Sequence, residues 1–283
     1  MTGSETYRLH LPATRDTGVI FSSPHSGCDY PASFLAQARL DSHAIRSSED
    51  AFMDEVFAAA PHHGAPLLAA RTPRAFIDLN RAADELDPAV IDGLTRAPHN
   101  PRVASGLGVI PRVVAQGRPI YSGKLTRAQA EARIAAHWHP WHDRLRLLVE
   151  NTHARFGRSL LIDCHSMPHE AIVARGPRPD IVLGDRFGAA CGHDVMDRVE
   201  AAFRGSGLRI SRNSPFAGAY ITQTYGRPAR QQHAVQVEID RSLYMDEARI
   251  EKRADFDAFA RVIEGVVMNL CEIGRDTLAL AAE

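Results

Sequence analysis

Two histidines in this chain sit where chemistry is most easily assembled. His25 lies in Ser22-Ser23-Pro24-His25-Ser26-Gly27, directly after the apolar run GVIFSS at residues 18–23. His165 lies in Leu161-Ile162-Asp163-Cys164-His165-Ser166-Met167-Pro168, at the end of the run at 159–164. In open α/β sheets ligands bind beyond the carboxyl ends of the strands, so two such ends bring two imidazoles to one edge. A loop histidine packed against Pro24 is the plain alternative for the first. Catalytic zinc is commonly held by two or three His and Asp/Glu side chains with one position left open for water. A carboxylate must therefore complete the set.

The Glu49-Asp50 pair offers one, at the start of the helical pattern EDAFMDEVFAAA. Acids there also suit a helix N-terminus, where Ser47 or Ser48 can cap, and spacing alone favours that plainer role. A familiar His-x-x-Glu spacing is absent, because Cys28 stands three residues after His25. Asp163, two residues before His165, is placed to orient an imidazole. Cys164 alternates to the opposite face, where a small buried thiol is ordinary.

Two further segments carry charge on apolar strand-like sequence. Residues 71–81, RTPRAFIDLNR, hold three arginines with Asp78 and Asn80. The planar guanidinium suits a carboxylate, although a surface pairing of Arg81 with Asp84 or Glu85 is as ordinary a role. Residues 233–241, HAVQVEIDR, alternate so that Gln236, Glu238 and Asp240 share one face. A carboxylate on a buried strand is costly unless paired or catalytic, which makes Glu238 a candidate general base.

The elements that must position these groups follow from periodicity. Continuous apolar runs predict buried strands at 18–23, 65–70, 75–79, 159–164, 180–184 and 234–239. Helical patterns occupy roughly 49–60, 126–153, 185–203 and 245–273. Their alternation predicts a single α/β domain spanning 1–283, three layers deep, with a mostly parallel sheet covered by helices on both faces. Between 84 and 123 the chain is rich in Pro and Gly with little periodicity, and a loop of that length reads as an active-site rim.

Composition narrows the partners. Lys and Arg number 33 against 34 acidic residues, a net charge of −1, so no global field attracts nucleic acid or anionic lipid. No stretch reaches the ~18 apolar residues of a membrane span and no signal peptide is evident, so the expected location is the cytoplasm. The 4 cysteines are too scattered for a disulfide framework. Most of the 14 histidines must be unremarkable. In His137-Trp138-His139-Pro140-Trp141-His142 only His139 and His142 share a helical face, and Trp138, Trp141, Leu145 and Leu148 form a packing stripe. His62-His63, before Gly64, suits a helix C-terminus.

Taken together, SSPHSG, EDAFMDEVF, RAFIDLNR, GLGVIPRV, LIDCHSMP, NSPFAGAYIT and HAVQVEIDRSLYMDE resemble, in this order, the signature blocks of the N-formylglutamate amidohydrolase family. They cover residues from about 19 to 247. The family is similar to the zinc carboxypeptidases and aspartoacylases, which implies one α/β domain of the phosphorylase/hydrolase-like kind with a central mixed sheet. The resemblance implies Zn2+, or another divalent transition metal, on His25, Asp50 and His165, with Glu49 a rival for Asp50. It implies Glu238 as the base that activates water and Arg74 as the group polarising the scissile carbonyl. Asn80 and Arg81 would grip a substrate carboxylate. Asn213, Tyr220 and Arg241 would add substrate contacts, and Ser26, Asp163 and His142 would support the centre. The expected substrate is a small dicarboxylate N-acyl amino acid, N-formylglutamate first, giving formate and glutamate as in a late step of bacterial histidine breakdown. Hydrolysis of another N-acyl amino acid and non-catalytic binding of such a ligand are the alternatives. One departure is Gly218-Ala219-Tyr220, where the family commonly carries Gly-Gly-Tyr.

Overall fold

The structure is a computed structural model and describes residues 6–94, 100–172 and 178–280. Seven strands form one twisted sheet: β1 Tyr7–His10, β2 Val19–Ser23, β3 Leu67–Ala70, β4 Ser159–Met167, β5 Ile181–Gly184, β6 Ile210–Arg212 and β7 Gln232–Asp240. Their order is β1-β3-β2-β4-β7-β5-β6. Strands β3, β2, β4 and β7 run parallel; β1 and β5 are antiparallel to their neighbours β3 and β7, and β6 runs with β5. The sheet is thus mixed and mostly parallel.

Helices cover both faces, which is why the central strands are apolar on both sides. Phe21, Ile162 and Val235 pack with the helices His193–Arg204 and Phe256–Leu280. On the other face Ile20, Leu161 and Ala234 meet the helix His139–Phe156 through Trp141 and Leu145. Truncating a fully buried residue such as Ile162 to alanine costs about 2–5 kcal/mol in such a core.

Register places the polar residues. Asp163 lies opposite Gln236 and His165 opposite Glu238 across β4 and β7, while Ser22 of β2 lies opposite Asp163. Five polar side chains from three parallel strands thereby collect at one edge.

Several local expectations are corrected. Residues 75–79 do not form a strand: Phe76 N and Ile77 N both donate to Pro73 O, at 3.0 and 3.3 Å, making a tight turn after Pro73. The helix expected over 49–60 is broken, because Phe52 takes a left-handed φ of 65° and leaves only the short helix Met53–Val56. The pattern over 126–153 is one helical stretch that changes winding. A capping box of Thr126 and Gln129 starts Arg127–Arg133, a π-turn occupies Ile134–Trp138, and His139–Phe156 follows with Pro140 in its first turn, where proline is tolerated. The helix expected from 185 begins at His193. That expected from 245 begins at Phe256, because Met245–Asp246 pairs with Glu251–Lys252 in a small ribbon. Strands β1 and β6 were not anticipated, being only 4 and 3 residues long at the sheet edges.

Candidate active site

His25, Asp50 and His165 converge at the carboxyl edge of β2 and β4, each buried, with one ligand atom from each all within 4.8 Å of one another. His25 Nδ1 lies 3.3 Å and His165 Nδ1 2.9 Å from the same Asp50 Oδ2. The far nitrogens face carboxylates: His25 Nε2 is 2.8 Å from Asp78 Oδ1, and His165 Nε2 is 2.9 Å from Asp163 Oδ2. That pairing fixes the tautomer so that both Nδ1 lone pairs point inward, the arrangement that carboxylate–histidine pairs give metal ligands. Buried His25 Nδ1 makes no hydrogen bond, although buried ring nitrogens are normally satisfied. A cation between the three side chains would satisfy it, so the residues present fit a divalent metal.

The loop carrying Asp50 is held by backbone contacts rather than by a helix. Asp50 N donates to His25 O at 3.0 Å. Gly27 is required two residues after His25, because a Cβ there would lie 2.3 Å from Thr72 O. Glu49 points away from the cluster and accepts from Tyr30 OH at 2.6 Å and Arg46 Nε at 3.0 Å. Asp50, not Glu49, is therefore the carboxylate that meets the histidines.

Electrostatics agree with the geometry. Burial alone would raise Asp50, but a hydrogen bond from His165 and the charges of His165 and His25 hold it well below the usual carboxylate range. Burial would likewise lower His165, yet Asp163, Asp50 and Glu238 hold it well above the usual imidazole range. Burial would also raise Asp78, and His25 and Arg74 outweigh it. In the metal-free protein a proton on His165 thus balances a carboxylate-rich centre.

Glu238 faces the same cavity as His25, His165 and Arg74, a space of about 350 Å³. Burial, with the charge of Asp50 added, pushes its carboxyl up to about 7 against the opposing pull of His165, Arg74 and a 2.7 Å hydrogen bond from Gln236 Nε2. A carboxyl near neutrality is suited to taking and returning a proton. Arg74 Nε donates to Asp78 Oδ2 at 3.1 Å, and its side chain lines the cavity with no hydrogen-bond partner on its terminal nitrogens among the described residues.

The remaining expected residues divide. Asn80 and Arg81 line the cavity. Asn80 Oδ1 accepts from Ile221 N at 2.8 Å, and its Nδ2 lies 3.1 Å from His165 Nε2. Arg81 uses Nε on Leu107 O at 3.0 Å and Nη1 on Asn80 O at 3.3 Å; no pairing with Asp84 or Glu85 forms. Ser26 accepts from Ser23 Oγ at 2.9 Å, bracing the loop, and Asp163 accepts from Ser22 Oγ at 2.8 Å.

The amino-acid pattern and the fold are matched in known proteins. The profile of the N-formylglutamate amidohydrolase family fits residues 17–245. The chain belongs to the N-formylglutamate amidohydrolase family. N-formylglutamate deformylase of Pseudomonas aeruginosa is 31% identical over 267 residues, covering 92% of this chain and 95% of that protein. The enzyme of the same name from Pseudomonas putida is 29% identical over 233 residues, covering 81% and 82%. The crystal structure of N-formylglutamate amidohydrolase from Ralstonia eutropha JMP134 superposes with a TM-score of 0.90 at 35% identity, covering 96% of this chain and 99% of that one. A protein of Agrobacterium tumefaciens, 19% identical and covering 98% and 96%, shares the fold with a TM-score of 0.64.

Within this member of the N-formylglutamate amidohydrolase family, three of the other expected residues, Asn213, Tyr220 and His142, lie off the cavity, and a fourth, Arg241, lines it. Asn213 is not in the cavity, because its amide is engaged with Asp185, donating to Oδ1 at 2.7 Å and accepting from the backbone N at 3.0 Å. Tyr220 packs instead against Trp138 and His142, with ring centroids 5.9 and 5.3 Å apart, and lines a separate cavity of about 270 Å³. His142 is behind the site: its Nε2 meets Leu79 O at 2.9 Å and its Nδ1 meets Tyr225 OH at 3.0 Å. Arg241 lines the cavity but its donors are engaged, Nε on Ser166 Oγ at 3.1 Å, Nη2 on Asp50 Oδ1 at 3.1 Å and Nη1 on Ser47 O at 3.3 Å. The departure at Ala219 is harmless to the backbone, since its φ is −131°, whereas Gly218 at φ 111° needs glycine.

Two participants escaped the reading of the amino-acid pattern. Asp78, the carboxylate behind His25, was assigned no role, although its position two residues before Asn80 marks it as polar within an apolar run. Gln236 was noticed only as a face-mate of Glu238, the residue to which it donates.

Proposed function

We propose that this protein is a metal-dependent N-formylglutamate deformylase, with a zinc-class ion held by His25, Asp50 and His165. The observation that carries the reading is the shared orientation of two imidazole Nδ1 atoms onto Asp50 Oδ2, with carboxylates behind both. The enzymes named above as N-formylglutamate deformylases support the substrate. His/His/carboxylate is a ligand set that zinc commonly occupies, and it also accommodates Fe, Co or Mn.

Such an ion supplies Lewis acidity, polarising oxygen and making water easier to deprotonate near neutral pH. The chain's own residues carry the proton and the charge. Glu238 takes a proton from water as its oxygen bonds to the formyl carbon. Arg74 directs its terminal N–H groups at the carbonyl oxygen as negative charge develops there, a contribution of about 3–4 kcal/mol for a well-placed donor. The C–N bond then breaks, and Glu238 returns its proton to the departing amine, leaving formate and glutamate. Arg81 holds a substrate carboxylate and thereby orients the amide.

Release of formate from N-formylglutamate, measured beside N-acetylglutamate and other N-acyl amino acids, tests the assignment. The reading expects N-formylglutamate to be the preferred substrate. Strong hydrolysis of a different acyl amino acid with little formate released would overturn it.

A further inference from the structure

The arginines around the cavity differ in how many donors the protein itself engages. Arg241 has all three nitrogens on protein partners, and Arg74 has Nε on Asp78. Arg81 keeps Nη2 without a partner among the described residues. Arg102 goes further. Its side chain makes no hydrogen bond or ion pair among the described residues, and it lines the same cavity from the short helix Pro101–Ala104.

Arg102 is not loosely carried. Its carbonyl accepts from Leu107 N at 2.8 Å, and Leu107 O in turn accepts from Arg81 Nε at 3.0 Å. Two hydrogen bonds therefore join the Arg102 backbone to the Arg81 guanidinium. Arg112 pins the same loop, donating to Ala104 O at 3.2 Å and to Asp87 Oδ2 at 2.9 Å. Arg81 is buried and Arg102 exposed, so one cation stands inside the cavity and one at its mouth. Burial holds Arg81 below the ordinary arginine range against the pull of Asp78 and Glu85, and the charges of Arg102 and Arg74 press the same way as burial. Arg81 and Arg102, two cations on one cavity that make no ion pair among the described residues, favour an anion with more than one charge.

We propose that Arg102 is a specificity-determining residue that receives the second carboxylate of a dicarboxylic substrate, while Arg81 receives the first. This rests on the reading of the site as one for N-formylglutamate, whose side-chain carboxylate is the second group. Such a contact would discriminate between glutamate and glutamine derivatives, which differ only in that carboxylate. The short helix Pro101–Ala104 then carries recognition at the cavity mouth.

The test compares kcat/KM for N-formylglutamate and N-formylglutamine in the wild-type protein, Arg102→Gln and Arg102→Lys, with calorimetric binding of glutarate in parallel. A charge-assisted hydrogen bond predicts that Arg102→Gln lowers the preference for the glutamate derivative by about 10–100-fold, carried by KM, with Arg102→Lys recovering part of it. Glutarate should bind Arg102→Gln at least about tenfold more weakly. A preference retained within about twofold, with glutarate affinity unaltered, would overturn the assignment. If the wild-type protein fails to hydrolyse N-formylglutamate while glutarate binding still depends on Arg102, the activity reading fails and the second-carboxylate role stands. Equal losses on both substrates with no change for glutarate would assign Arg102 a structural role and overturn the proposal.

Discussion

Arg241 donates from Nη2 to Asp50 Oδ1 at 3.1 Å, while the other Asp50 oxygen faces both histidine Nδ1 atoms. An arginine at the wall of the cavity thus acts on the carboxylate of the centre, with each of its three nitrogens already on a protein partner. It fixes which oxygen is presented inward. Substitution Arg241→Gln is expected to weaken metal affinity by about 10–100-fold, in the range found for partners that orient metal ligands. Activity should return with excess metal, and KM should stay close to its original value. A raised KM that added metal does not correct would instead place Arg241 on the substrate.

The proton on His165 gives the centre a pH dependence of defined sign. Asp163, Asp50 and Glu238 outweigh burial and hold its pKa well above the ordinary value, so in the neutral range a cation must displace that proton to enter. Apparent metal affinity should then rise with pH, about tenfold per pH unit for one displaced proton, below the folded-state pKa of His165. Titration calorimetry in buffers of different ionisation enthalpy reads the released proton directly. Binding without proton release at neutral pH would contradict the assignment.

Burial pushes the Glu238 carboxyl up to about 7 in the metal-free cavity, and a bound cation would shift it lower by favouring its charged form. Only the deprotonated carboxylate accepts a proton, so kcat/KM should fall as pH drops through that group's pKa. Glu238→Gln should lower kcat by about 10²–10⁴-fold with metal content retained, and the acidic limb should disappear. Retained turnover in this variant would remove Glu238 from the mechanism.

His142, expected to support the centre, stands as a buttress behind it. Its Nε2 meets Leu79 O at 2.9 Å, while Trp138 Nε1 donates to Arg81 O at 2.8 Å, so the helix braces both sides of Asn80. Burial lowers its pKa to about 3 from 6.5. Between those values the unfolded chain binds a proton that the folded protein refuses, so stability falls as pH drops through that window. Urea midpoints measured from pH 7 to pH 4 should therefore decline less steeply in His142→Gln than in the wild type. Parallel slopes would show that another group sets the decline.

The legible parts of the site were those tied to strand ends. His25 and His165 follow apolar runs, and alternation along 233–241 correctly set Glu238 beside Gln236. Asp50 was not legible from spacing, because helical periodicity over 49–60 concealed the left-handed turn at Phe52 that ends the loop. Asp78 was missed for a related reason: AFIDL reads as a strand, yet the Pro73 turn aims the carboxylate at His25. Tyr220 and Asn213 were placed by resemblance alone, and tertiary packing against Trp138 and Asp185 draws both away from the cavity. Arg102 carried no signal in the pattern at all, since a lone arginine in a Pro-rich loop gains meaning only from what surrounds it.

The most direct measurement is a zinc titration of chelator-treated protein, followed by formate release from N-formylglutamate. The metal-dependent reading predicts negligible turnover without metal, a linear rise that saturates at about one equivalent, and no recovery in His25→Ala or His165→Ala. Full turnover by metal-free protein, unaffected by either substitution, would contradict it.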